Sequence, residues 1–126
     1  MLHSISAITL STRDMARAVA FYQALGFTLK YGGPDASFTS FFAGTGFVNL
    51  TRATADRDWS GWGRVIFYVS NVDAQYARAI EAGYTPSFAP RDASWGERYF
   101  HIFDPDGHEL SFAWPLQGQP QPAPSA

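Results

Sequence analysis

The residues best suited to chemistry cluster on a few short runs. In Arg98-Tyr99-Phe100-His101-Ile102-Phe103, strand alternation puts Tyr99, His101 and Phe103 on one face and Phe100 and Ile102 on the other. An imidazole that titrates near neutrality can serve as general base, general acid or hydrogen-bond donor. It can equally be a hydrogen-bonded histidine in an aromatic wall. Arg64 opens a second strand-like run and carries a fixed cation. It suits the carboxylate or phosphate of a ligand, or Asp56, Asp58 or Glu109 of its own chain. Trp59, Trp62 and Trp95 stand near Gly61, Gly63 and Gly96 on predicted loops. Such placement fits a ligand lid or stacking platform, and fits loop packing or a subunit contact as well. His3, near the start, and His108, after a turn, are weaker candidates. Asp104 and Asp106 look paired, but in a turn they serve backbone geometry. Glu97 and Arg98 are expected to pair with other charges.

Other chemistries are excluded. The chain has 126 residues and no cysteine, so thiolate catalysis, disulfides and zinc–thiolate sites are out. No serine or threonine sits in a nucleophile-elbow or triad pattern. The net charge is −2 with no cluster of Lys or Arg, which argues against nucleic acid and anionic membrane surfaces. No window approaches the roughly 20 apolar residues of a membrane-spanning helix, and the first residues show no basic leader. A soluble, cytoplasmic protein is expected. Aromatic residues make up 17%, more than a core of this size requires. The excess suits an apolar cavity or a subunit interface.

The elements that must position these residues follow from periodicity and punctuation. Residues 5–12 alternate as a strand. Asp14 can cap a helix in which Met15, Ala18, Val19, Tyr22 and Leu25 recur at helical spacing, and Gly26 can stop it. Strand-like runs follow at 27–31, 37–43 and 47–51. A strand at 64–69 is followed by Asn71 as cap, by Val72, Tyr76, Ala79 and Ile80 on one helix face, and by Gly83 as stop. A weak strand is expected around Thr85–Phe88. A hairpin of 97–103 and 109–114 then turns on Asp104-Pro105-Asp106-Gly107, where Pro and Gly fit a type I turn. The Pro-, Gln- and Ser-rich stretch 117–126 cannot bury apolar area and is expected to be a disordered tail.

Each half therefore reads β-α-β-β-β. Residues 7–27 lie over 64–84 at a constant offset of 57, cap over cap and stop over stop. The match resumes with Val48-Asn49-Leu50 over Leu110-Ser111-Phe112. A repeat of this size points to duplication of one unit.

Thr12-Arg13-Asp14-Met15, then Phe21-Tyr22, then Leu25-Gly26-Phe27 resembles the opening of vicinal oxygen chelate proteins, the glyoxalase and bleomycin-resistance group. Phe103-Asp104-Pro105-Asp106-Gly107-His108-Glu109-Leu110 resembles that group's closing hairpin, and Trp95-Gly96-Glu97-Arg98 is similar to the segment before it. The resemblance covers about residues 5–115. It implies an α+β fold in which duplicated β-α-β-β-β units form a curled, open mixed sheet, a cup with the helices outside, and it implies a dimer. One domain is expected over 1–116, with halves of about 1–56 and 62–116. In metal-dependent members the cup holds a divalent ion on His, Glu or Gln. Carried over residue by residue, those ligand positions fall on Ala7, Asn49, Arg64 and Ser111. Ala7 has no donor atom, Asn49 and Ser111 are weak neutral donors, and Arg64 repels a cation. The resemblance thus implies the fold without the metal.

The reading is of a metal-independent protein, with no cofactor, that binds a planar, partly aromatic small molecule in its cup, as bleomycin-resistance members do without chemistry. Aromatic walls supply contact area. Asn49, Arg64, Trp62, Trp95, Tyr99, His101 and Ser111 form the site, and the protein is a homodimer. The alternative is a metal-free lyase or isomerase of the same fold with His101 as acid/base. A metal-dependent glyoxalase- or dioxygenase-like enzyme is the third possibility.

Overall fold

A computed structural model of the chain describes residues 1–116; the expected tail lies outside the described residues. The elements are β1 (Ala7–Thr12), α1 (Met15–Ala24), β2 (Thr28–Tyr31), β3 (Phe38–Ala43), β4 (Gly46–Arg52), β5 (Arg64–Tyr68), α2 (Val72–Glu81), β6 (Arg91–Asp92), β7 (Glu97–Phe103) and β8 (Glu109–Pro115). They fall into two compact units. Unit 1 comprises Met1–Gly63 with Asp104–His108; unit 2 comprises Arg64–Phe103 with Glu109 onward. The α+β class and the duplicated β-α-β-β-β order are as the sequence leads one to expect, and the mixed sheet is carried as one four-stranded sheet per unit. The strand orders are β1-β4-β3-β2 and β5-β8-β7-β6.

In both units the first strand runs parallel to the fourth and the remaining pairs are antiparallel. The two helices begin and end at equivalent places because the same signals bound them. Asp14 accepts a hydrogen bond from Arg17 N at 3.1 Å, and Asn71 accepts one from Ala74 N at 2.9 Å. Each side chain satisfies a backbone donor that the first helical turn leaves without a partner. Gly26 at φ 93° and Gly83 at φ 90° close the helices in a left-handed conformation that costs glycine little.

Helix α1 buries Met15, Ala18, Val19, Phe21 and Tyr22. They join Leu10, Phe41, Val48 and Leu50 in the core of unit 1. In unit 2, Val72 and Ala79 of α2 join Phe100, Ile102, Leu110 and Phe112. There Phe100 stacks on Phe112 at 5.5 Å and takes Tyr76 edge-on at 5.5 Å. Burying such rings stabilises by roughly 1.5–3 kcal/mol each. This burial holds the sheet against its helix and leaves the opposite sheet face for other uses.

The sixth strand departs from the sequence reading. It lies at Arg91–Asp92, paired with Tyr99 and Arg98, rather than around Thr85–Phe88. Pro86 lies within the expected run and Pro90 follows it, and neither has an N–H to give to a ladder. One bond survives there, from Ser87 N to His101 O at 2.8 Å, which ties this loop to β7. No helix among the described residues is long and apolar enough to cross a membrane.

Candidate functional site

Strand register builds a cavity on the face of the unit 2 sheet that points away from α2. The central strand β8 contributes small residues there, Ser111 and Ala113. Ser111 pairs with Ile66 of β5 on one side and His101 of β7 on the other, and Ala113 pairs with Tyr68 and Tyr99. Small side chains on the middle strand make a floor, and large ones on its neighbours make walls. The result is a cavity of about 270 Å³ lined by Arg64, Ile66, Trp95, Glu97, Tyr99, His101, Ser111 and Ala113. Ile66 and Trp95 are 59% and 60% exposed, so the cavity keeps large apolar side chains open to solvent.

Aromatic contacts order the wall. Trp95 lies 5.2 Å from Tyr99, Tyr99 lies 5.3 Å from His101, and Phe88 lies 5.1 Å from His101 (all ring centroids). Arg91 places its guanidinium 3.8 Å over Phe88 and donates from Nε to the Tyr99 hydroxyl at 3.2 Å. Phe88 gave no signal in its Pro-rich loop; the Ser87 bond to β7 seats it.

Charge is unevenly matched around the cavity. Arg64 Nε donates to Glu109 Oε1 at 2.6 Å, so the in-chain partner considered for Arg64 is the one it has. The other oxygen of Glu109 lies 3.9 Å from His101 Nδ1. Burial pushes the His101 imidazolium toward deprotonation, and the Arg64 cation pushes the same way against the pull of Glu109. The surroundings thus favour the neutral imidazole. Glu97 departs from its expected ion pairing. Its carboxylate accepts from Trp95 Nε1 at 2.9 Å and from the Tyr68 hydroxyl, which is held above its usual range mainly by that bond. Arg98, on the helix side of β7, does pair with charges, at 2.9 Å from both Asp73 and Asp92. Glu97 and Glu109 were not singled out as site residues, although alternation with Tyr99 and with Ser111 places them on the same face.

The remaining candidates lie in unit 1. Asn49 sits on β4 and donates from Nδ2 to Thr9 Oγ1 at 3.2 Å. Trp62 belongs to a cleft of about 410 Å³ lined by Ile8, Ser11, Arg57, Trp59 and His108 among others, and not to the lining of the Arg64 cavity. Its indole donates from Nε1 to His108 Nδ1 at 2.8 Å, while His108 Nε2 lies 2.8 Å from Ser11 O. An acceptor Nδ1 requires the proton on Nε2. Trp59 stacks on the same imidazole at 6.1 Å. Asp104 and Asp106 do serve the turn. Asp104 Oδ1 accepts from Asp106 N and His108 N at 2.9 Å each, Gly107 N bonds Asp104 O at 3.0 Å, and Asp106 Oδ1 accepts from Arg13 N at 3.0 Å. His3 is exposed.

Residues 4–112 match the model of the Glyoxalase/Bleomycin resistance protein/Dioxygenase superfamily. The chain belongs to that superfamily. Among solved structures of the superfamily's fold, a glyoxalase/bleomycin resistance protein/dioxygenase from Nocardioides is 22% identical with a TM-score of 0.76, covering 99% of this chain and 91% of its own. TioX from Micromonospora sp. ML1 is 28% identical with a TM-score of 0.71, covering 88% and 98%. A bleomycin-binding protein solved in complex with bleomycin is 21% identical with a TM-score of 0.70, covering 89% and 98%. An uncharacterized protein of Mycobacterium bovis is 43% identical over 49 residues, 39% of this chain and 32% of that protein. An uncharacterized protein of Mycobacterium tuberculosis matches over the same length, 29% of its own. The match thus spans about a third of these curated relatives.

Superfamily membership raises the question of a divalent ion, and the residues at the resembling positions do not fit one. Ala7 has no side-chain donor, Asn49 gives its amide to Thr9, and Arg64 is a guanidinium held by Glu109. Ser111 supplies one buried hydroxyl. Among the described residues, no three His, Asp or Glu side chains converge. A hard cation needs several charged or imidazole donors at once.

Proposed function

We propose that this superfamily member is a metal-independent, cytoplasmic small-molecule binding protein that holds a planar, partly aromatic ligand in the unit 2 cavity. One observation carries the reading: an exposed Trp95 stands beside Tyr99 over a floor of Ser111 and Ala113. A flat ring placed there covers apolar surface on several sides, and Trp95 and Tyr99 have few rotamers to lose. Arg64, His101 and Ser111 supply polar contacts that fix its orientation. Binding of bleomycin by a structural relative accords with such a role for the fold. The same exposed face supports assembly as a homodimer.

A second reading as a metal-free lyase or isomerase draws on the neutral His101 beside Glu109. A neutral imidazole can take a proton, and Arg64 stands by to hold a developing anion.

Titration of intrinsic Trp fluorescence with planar heteroaromatic compounds tests the binding reading. Saturable quenching that disappears in Trp95→Ala is expected. Equal quenching in the wild type and Trp95→Ala would place the ligand elsewhere.

A further inference from the structure

Four charged side chains stand around the unit 2 cavity, and among the described residues Arg91 and Glu97 are the two in no ion pair, of which Glu97 alone lines the cavity. Arg64 and Glu109 neutralise one another at 2.6 Å, and Arg91 lies over Phe88 and Tyr99. Glu97 is different. It lines the cavity, yet among the described residues it takes part in no ion pair. Both oxygens are held by neutral donors, Trp95 Nε1 and the Tyr68 hydroxyl. These bonds aim the carboxylate without cancelling its charge.

The rings around Glu97 suit the same sign of ligand. Trp95 is 60% exposed and Tyr68 44% exposed. The face of an indole or phenol is electron-rich and attracts cations, Trp most of all. Arg91 over Tyr99 at 5.4 Å already shows a ring of this wall in contact with a cation. Aromatic faces next to an uncompensated carboxylate form a subsite for positively charged nitrogen.

We infer, resting on the reading of this cavity as a ligand site, that its ligand is a planar aromatic molecule carrying a cationic nitrogen, a protonated amine or quaternary ammonium, seated against Trp95 and Glu97. The aromatic body lies along Trp95 and Tyr99. The cation sits at the Glu97 end, away from Arg64. Glu97 is then a specificity-determining residue that selects ligand charge, and the balanced Arg64–Glu109 pair adds little preference.

Three probes with one ring system test this by calorimetric titration: N-methylquinolinium, which is permanently cationic, neutral quinoline, and a quinoline carboxylate. N-methylquinolinium should bind about tenfold tighter than quinoline, the gain from one cation–π contact with a nearby carboxylate. The carboxylate should bind weakest. Glu97→Gln removes the charge; its amide oxygen can still accept from Trp95 Nε1, while its amide nitrogen has to donate to the Tyr68 hydroxyl, which reverses that bond. The substitution should erase the preference for the cation, bringing N-methylquinolinium down to the affinity of quinoline on the same variant. Equal binding of all three, or tightest binding of the carboxylate, overturns the charge assignment and leaves the cavity standing as a ligand site. No binding of any probe overturns both. The order of the three probes on the wild-type protein decides the matter even if Glu97→Gln fails to fold.

Discussion

Tyr22→Phe isolates one hydrogen bond in the core of unit 1. The Tyr22 hydroxyl donates to Asp104 Oδ2 at 2.7 Å, and the two residues are 0% and 4% exposed. Phe preserves the ring and its edge-to-face contacts with Phe21 at 5.1 Å and Phe27 at 5.4 Å, so the hydroxyl alone is lost. Asp104 keeps its two backbone donors but loses a charge-assisted partner, which costs roughly 1.5–3 kcal/mol while the carboxylate is ionised. The penalty depends on pH, with a sign that follows from the shift. Burial raises the Asp104 carboxyl above the ordinary value of 3.8, and the Tyr22 bond is the largest of the effects that oppose the rise. The native state therefore holds this proton more tightly than the unfolded chain. Stability falls as pH rises from 3.8 toward the folded value. Without Tyr22 the folded value climbs further, so the cost of the substitution grows with pH over that window and is smallest in acid. Urea unfolding of both proteins from acid to neutral pH measures it. A neutral-pH penalty below about 0.5 kcal/mol, or one that does not change with pH, would refute the reasoning.

Three further expectations concern the site and the assembly. His101→Gln keeps hydrogen bonding and removes proton transfer. A binding protein should change affinity by less than about threefold, whereas an enzyme using this imidazole should keep binding and lose turnover by roughly 10²–10⁴-fold. Elemental analysis of untagged protein should find Zn, Ni, Fe and Mn well below one ion per chain; one tightly held ion, lost on changing Asn49 or Ser111, would overturn metal independence. Sedimentation at micromolar concentration should give the mass of two chains, because Tyr31, Phe42, Ile66 and Phe103 are 46–64% exposed on their sheets; the mass of one chain would count against the homodimer.

The fold was legible because its signals are local. Asp14 and Asn71 cap, Gly26 and Gly83 stop, and alternation assigns faces, so the duplicated order could be read from one sequence. The sixth strand was not, since Pro86 and Pro90 interrupt the run with residues that cannot donate, and the pairing falls on Arg91 and Asp92 beyond them. Alternation likewise put Tyr99 and His101 on one face, and register then set Ser111 beside His101. The partners of charges escaped the sequence. Whether Arg64 meets Asp56, Asp58 or Glu109 depends on strand pairing across 45 residues. Nor does local sequence tell that Glu97 takes two neutral donors while its neighbour Arg98 takes two carboxylates. Trp62 was grouped with Trp95 because both stand next to glycine. The structure gives its indole to His108, a contact 46 residues away that periodicity cannot carry.

On the proposed reading the unit 2 cavity holds a planar ligand by aromatic contact and without metal. A crystal structure of the protein grown with N-methylquinolinium tests it most directly. A ring lying against Trp95 and Tyr99 above Ser111 and Ala113, with no metal ion beside it, is expected. A ring bound away from Trp95, or a metal ion coordinated between ligand and protein, would contradict it.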